Sequence, residues 1–311
     1  FLDSSSGHMI GVHSDITPQI ARIDSKHAKS DQLDRYCYIN AILQTKADDF
    51  YASRSPIQAG AELYGYKGID GDIEVIELMI SSLSLLNIKN LTLSLGNVAI
   101  FKALCESADL NIDDVSTLRD IFRRKSIPDL NDFLNGNKLK ESEKFLSLIS
   151  LDGDEKVLDI ALKLFEDLPI ALDAVKCLKR LYDFFKDRDV SLMFDLGEVK
   201  PYEYHNGIVF AAYHSSFSKA LAQGGRYNGL SEAFGSSRAA TGFSFDLKFL
   251  IQQKFQTSKK NKVLIAPNID DPKLISIIND LRTKGISIKT DLTGLSDVDF
   301  IKNNGEWKLK E

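Results

Sequence analysis

Apolar and polar positions along this chain change period several times. Residues 9–12 read as a short apolar strand, and Asp15-Ile16-Thr17-Pro18 then opens a helix over 19–28. Thr17 suits the N-cap and Pro18 the first helical position. Residues 36–44 and 56–64 read as strands on either side of a polar loop, 48–54. In the second strand Gln58, Gly60 and Glu62 alternate against Ile57, Ala59 and Ala61, the period of two that a strand imposes. Glu62 among small residues admits two readings, solvent exposure on an edge strand or a role in binding.

Residues 72–86 form a helical pattern with Ile73, Ile76, Leu78, Ile80, Leu83 and Leu86 apolar along it, and 91–96 follow as a strand. From 98 to 188 the period is helical, in segments 99–108, 115–125, 127–134, 142–149, 156–165 and 171–185. Pro128 and Pro169 mark helix beginnings. The Leu and Phe stripes here are core, and the segment is a helical insertion, about 98–190, within an α+β domain. Residues 192–196 return to strand.

The most informative stretch is 200–246. It holds Tyr204-His205-Asn206-Gly207-Ile208-Val209-Phe210, then Gly224-Gly225-Arg226-Tyr227-Asn228-Gly229, then Ala240-Thr241-Gly242-Phe243-Ser244-Phe245-Asp246. Residues 208–213 predict a buried strand. Gly224-Gly225 frees the backbone for a close approach or a positive φ. Together these pieces predict Tyr204, His205, Arg226 and Tyr227 around one small cavity, suited to a polar metabolite with an aromatic or cationic part. The plainer alternative is a hairpin whose tyrosines pack a core.

Residues 241–250 begin as a strand and turn helical near Leu247; 252–261 are polar and read as a linker. A small α/β tail follows: strand 263–267, helix 272–284, strand 286–289, and a hairpin of 298–301 with 307–309 around Asn303-Asn304-Gly305. The expected domains are a core, 1–251, and the tail, 262–311, which carries no glycine-rich phosphate loop.

Composition narrows the function. The chain has 311 residues, 43% hydrophobic and 27% charged, ordinary for a globular protein with one large core or two domains. A net charge of −5 gives no general electrostatic pull toward nucleic acid. Lys259, Lys260 and Lys262 form the densest basic cluster, a solvated linker. Cys37, Cys105 and Cys177 lie far apart with no C-x-x-C pair, which points to a reducing compartment, the cytoplasm, and to packing rather than disulfide or zinc chemistry. The five histidines show no H-x-x-x-H spacing, so no metal is expected. No apolar run reaches membrane-spanning length and no signal peptide is visible. Phe1 is not an initiator residue, and native residues upstream of it are expected.

Four motifs carry a resemblance: Asp15-Ile16-Thr17-Pro18-Gln19, Gln58-x-Gly60-Ala61-Glu62-Leu63-Tyr64-Gly65, Tyr204-His205-x-Gly207-Ile208-Val209-Phe210, and Gly224-Gly225-Arg226-Tyr227-x-Gly229. From about residue 7 to 250 the chain resembles the histidyl-tRNA synthetase-like family, and within it the regulatory subunits of ATP phosphoribosyltransferase. The resemblance implies an α+β, class II synthetase-like antiparallel sheet core with a helical insertion. It implies a histidine pocket in which Asp15 and Thr17 lie by the α-amino group, Gln58 by the carboxylate, and Glu62, Tyr204, His205 and Tyr227 around the imidazole. Asp15 is one carbon shorter than the Glu usual there, and His205 stands where a synthetase has Tyr. Lys200 replaces an arginine expected just before the third motif.

Two further departures bear on catalysis. Where a synthetase has the arginine that grips the ATP α-phosphate, this chain has Gln44; where it has the γ-phosphate arginine, this chain has Phe249. Charge-assisted donors stabilise the charge that builds during adenylation, and neither replacement supplies one. The resemblance therefore implies a non-catalytic regulatory subunit with no cofactor. Such a subunit is required by the short-form catalytic ATP phosphoribosyltransferase at the first step of histidine biosynthesis. It takes part in feedback by L-histidine and assembles as dimers within a hetero-octamer, with no membrane or nucleic-acid partner. Histidyl-tRNA synthetase is the alternative among enzymes, but it needs both arginines and a basic anticodon-binding domain. A structural scaffold with a degenerate pocket is the third reading.

Overall fold

The computed structural model describes residues 2–27, 32–45, 53–137, 139–199, 205–235, 237–253 and 263–310. The chain forms two compact units, Phe1–Phe255 and Gln256–Glu311. The first is built on eight strands: β1 (Asp34–Ala41), β2 (Ile57–Tyr64), β3 (Leu91–Asn97), β4 (Asp152–Gly153), β5 (Val190–Asp195), β6 (Ile208–Tyr213), β7 (Ala222–Arg226) and β8 (Ala240–Asp246). They form one sheet in the order β1-β2-β8-β7-β6-β3-β5-β4. Neighbours are antiparallel except β3 and β5, which run parallel. The insertion explains that exception, because parallel neighbours need a long crossover and the inserted helices lie between these two strands.

Helices α1 (Thr17–His27) and α2 (Ile69–Leu85) precede the insertion, which consists of α3 (Val98–Ser107), α4 (Ile112–Arg124), α5 (Ile127–Asn137), α6 (Ser142–Leu148), α7 (Lys156–Leu164) and α8 (Pro169–Phe185). α9 (Leu247–Gln252) follows β8 directly. The insertion's apolar stripes are core as the pattern implies: Leu118, Phe122, Leu134, Phe145, Leu178 and Phe185 are buried in one cluster with Leu93, Leu95 and Phe210 of the sheet. Local signals set the helix starts. Asn97 and Asn111 accept backbone N–H groups at the first turns of α3 and α4, and Pro169 opens α8.

The sheet's two faces are covered differently. One face, with Leu63, Phe210 and Phe243, belongs to the large core shared with α2 and the insertion. On the other, Tyr64, Tyr227 and Ala240 pack with Ile16, Ile20 and Ala21 of α1 and the residue before it in a smaller cluster.

Several expectations are corrected. Residues 9–12 are not a strand; Met9 makes an isolated bridge to Leu2, and Met9, Ile10 and Val12 are exposed. Thr17 is not the N-cap of α1, since Gln19 N and Ile20 N both donate to Ile16 O. β1 ends at Ala41, although Ile42 N and Gln44 N still reach Pro56 O and Arg54 O. Gly224 and Gly225 lie inside β7 with no positive φ, so close approach is what they provide. The two-residue β4 has no sequence signature. Most of the 48–54 loop and of the 252–261 linker lies outside the described residues.

The second unit holds β9 (Leu264–Pro267), α10 (Pro272–Thr283), β10 (Ile288–Asp291), β11 (Phe300–Asn303) and β12 (Glu306–Leu309). β9 and β10 are parallel and joined through α10, around a core of Ala266, Leu274, Ile288 and Phe300. Asn304 and Gly305 turn the β11–β12 hairpin at φ 49° and 80°, the double positive φ of a type I′ turn.

Candidate functional site

The site lies on the sheet face covered by α1. β2 is the second strand of the sheet, so Glu62 is not on an edge; it is 3% exposed and faces inward. Its carboxylate is held entirely by hydroxyls. Oε1 accepts from Thr17 Oγ1 at 3.0 Å and from Tyr38 OH at 3.1 Å, and Oε2 from Tyr227 OH at 2.6 Å. Tyr227 and Tyr64 hydroxyls lie 3.3 Å apart. A hydroxyl carries one proton, so Tyr227 donates to the carboxylate and accepts from Tyr64. Burial pushes the Glu62 carboxyl up to about 7, against the pull of the Tyr227, Thr17 and Tyr38 hydrogen bonds. Burial likewise raises the Tyr38, Tyr64 and Tyr227 phenols, which stay protonated donors.

The register gives this carboxylate its room. Glu62, Gly242, Gly225 and Val209 lie in one row across β2, β8, β7 and β6. Two successive glycines leave a floor without Cβ atoms, over which the Glu62 carboxylate and the His205 ring lie. A Cβ at Gly242 would overlap Glu62 Oε2, and one at Gly225 would lie 2.8 Å from His205 Cδ2. Half-buried His205 stands at the far end of the floor, with its ring 6.5 Å from that of Tyr227, edge to face. Toward the other end of β2, Gln58 Oε1 accepts from Ile16 N at 2.9 Å while Nε2 donates to Asp15 Oδ1 at 2.9 Å and Ser244 Oγ at 3.1 Å.

Of the residues singled out from sequence, Asp15, Thr17, Gln58, Glu62, His205 and Tyr227 thus share one face of the sheet. Lys200 and Tyr204 lie outside the described residues. Arg226 does not join them. Adjacent strand residues point to opposite faces, and Arg226 points toward α2, where Nε and Nη2 meet Asp72 at 3.1 and 2.8 Å and the guanidinium caps Tyr66 O and Gly68 O, each at 2.9 Å. Tyr38, Tyr64, Gly242 and Ser244 were not singled out. Tyr64 lies on the even-numbered face of β2 that the alternation marks, but only the pairing of β1 and β8 with β2 adds Tyr38, Gly242 and Ser244 to it.

Gln44 and Phe249, far apart in sequence, line a second cavity of about 300 Å³ beside Gln58 and Ser244. Lys219 Nζ sits 3.8 Å from the centre of the Phe249 ring, a cation–π contact. Cys105 is buried, its thiol pushed up to about 12 by burial, and Cys177 packs beside the same core; Cys37, however, is exposed on β1. Among the described residues no group of three His, Cys, Asp or Glu side chains could hold a metal, and no helix is long and apolar enough to cross a membrane.

Comparison with known proteins places this geometry. The histidyl-tRNA synthetase family model matches residues 1–250. An ATP phosphoribosyltransferase regulatory subunit from Thioalkalivibrio sulfidiphilus is 39% identical over 303 residues, covering 94% of this chain and 75% of the relative. A crystal structure of an ATP phosphoribosyltransferase regulatory subunit/histidyl-tRNA synthetase from Bacillus halodurans superposes with a TM-score of 0.80 at 24% identity, over 96% of this chain and 78% of that one. A chain in an ATP phosphoribosyl transferase complex from Thermotoga maritima shares the fold at a TM-score of 0.62 and 18% identity, over 79% of this chain and 84% of that one.

Proposed function

Because the chain belongs to the histidyl-tRNA synthetase family, among the ATP phosphoribosyltransferase regulatory subunits, we propose that it is a non-catalytic regulatory subunit that binds L-histidine. It is required by a short-form catalytic ATP phosphoribosyltransferase subunit and carries histidine feedback to it. The observation that supports histidine as ligand is the buried Glu62 carboxylate beside the Gly242–Gly225 floor. An imidazole beside that carboxylate can donate N–H to it, with Tyr227 and His205 as neighbours. By the family resemblance Asp15 and Gln58 take the α-amino and carboxylate groups, Gln58 exchanging a contact to Asp15 or Ser244 for the ligand; the resemblance assigns Lys200 and Tyr204, outside the described residues, to the same ligand. Thr17, whose hydroxyl is committed to Glu62, serves the imidazole end.

The absence of adenylation rests on Gln44 and Phe249. Neither is a cation, and the lysine in that cavity is engaged on the Phe249 ring. Activation of the partner then comes from contact that favours its competent state, and feedback from a difference in histidine affinity between two states of the complex. The assembly is a hetero-octamer containing dimers of this subunit, in the cytoplasm.

Reconstitution tests this. The two full-length subunits are purified, and joining of ATP to phosphoribosyl diphosphate is followed while this one is titrated in. Activity is expected to rise with added subunit and to fall with histidine. Equal activity with and without it, and no complex on size-exclusion chromatography, would show the regulatory role to be wrong. Activation insensitive to histidine would leave the activator and remove the sensor, favouring a scaffold.

A further inference from the structure

Glu62 is a buried carboxylate whose hydrogen-bond partners among the described residues are all neutral hydroxyls. Every element packed around it adds to this. The segment before α1 supplies Asp15, a like charge; β1 supplies Tyr38 and Tyr36; β2 supplies Tyr64; β7 and the residue after it supply Gly225 and Tyr227; β8 supplies Gly242; and the segment before β6 supplies His205, half-buried beside Tyr227. Among the described residues no cation forms an ion pair with Glu62. A buried charge without a counter-ion is costly and is relieved by a proton. An imidazole arriving beside the carboxylate offers a second place for that proton.

We infer that Glu62 and the ligand's imidazole hold a single proton between them in the bound state, so that histidine binding exchanges protons with solvent and is tightest near neutral pH. This rests on the pocket being histidine's. The proton count is simple. In acid, free Glu62 and free imidazole are both protonated, and binding releases one proton to solvent. In alkali neither is, and binding takes one up. With Glu62 pushed up to about 7 and a free imidazole near ~6.5, the separated partners hold one proton in total near pH ~6.7. Affinity then falls roughly tenfold by about pH 5 and by about pH 8.5. The shared proton is the part of the alkaline uptake that Glu62→Gln removes, which separates it from any proton exchanged by His205 or by the ligand's α-amino group.

The test is isothermal titration of the full-length protein, alone and with its catalytic partner, with L-histidine. It is run from pH 5 to 8.5 in pairs of buffers differing in ionisation enthalpy. Uptake of close to one proton at the alkaline end is expected, with an affinity maximum between. In Glu62→Gln the alkaline uptake should vanish and affinity stay level above neutrality, because a carboxamide cannot share a proton. Histidine binding with no buffer-dependent heat and constant affinity from pH 7 to 8.5 would overturn the shared proton and leave the histidine sensor standing; the wild-type titration decides this even if the variant fails to fold. No binding at any pH, free or in complex, would remove the sensor reading and the proton with it.

Discussion

The missing side chain at Gly242 is what gives Glu62 its place. A methyl group there would overlap the Oε2 atom that accepts from Tyr227. Gly242→Ala must displace the carboxylate or part the strands, and overpacking of this kind costs about 1–3 kcal/mol. The variant should melt below the wild type and lose the rise in melting temperature that histidine gives by mass action. Wild-type melting with a full histidine response would show that the carboxylate does not sit over Gly242. Glu62 itself could be marked as unusual from its neighbours along the chain. Whether it faced water or the interior could not, since that depends on β8 lying on the far side of β2.

Within β7, one strand's alternation serves two purposes. Tyr227, which follows it, turns to the pocket, while Arg226 reaches through the opposite face to α2. The Arg226–Asp72 pair is nearly enclosed, with side chains 8% and 2% exposed. Burial outweighs the attraction of Arg226 and holds the Asp72 carboxyl above its ordinary range. The pair is thus weak as a source of net stability, yet breaking it leaves an uncompensated buried charge, at about 3–5 kcal/mol. Asp72→Ala should lower the unfolding free energy measured in urea by that much, seen as a lower midpoint with little change in slope. A variant as stable as the wild type would mean that Arg226 finds another partner. Helices were more legible than this strand. The start of α8 follows from Pro169, whereas α4 begins at Ile112, three residues before the 115 that its apolar period suggests, because Asn111 caps it.

At the scale of the whole molecule, the synthetase frame is kept while the nucleotide side is altered. Gln44 and Phe249, which on the proposed reading stand in for the arginines that grip ATP phosphates, converge on one cavity. The full-length protein should therefore give no histidine-dependent exchange of pyrophosphate into ATP above background. Turnover at synthetase rates would overturn the non-catalytic reading. The single parallel pair, β3 with β5, belongs to this scale too, because it depends on where the inserted helices return the chain to the sheet.

The chain's own order determined its helices, the insertion, the tail hairpin at Asn304-Gly305 and the motifs that mark its family. Those signals are local: a period of 3.6 or 2, a cap, a proline, a turn with two positive φ angles. It also supplied most of the pocket's residues, each within a short motif. The tertiary structure alone decided how they meet. Glu62 and Tyr227 are 165 positions apart, and Gln58 and Ser244 are 186. A shift of one residue in pairing would send Glu62 or Tyr227 to the opposite face, exchanging the polar pocket for the apolar core. That register is fixed by burial on both faces of the sheet, a property of all its strands together, which is why Arg226 reads from sequence as a neighbour of the pocket and in the fold lies behind it.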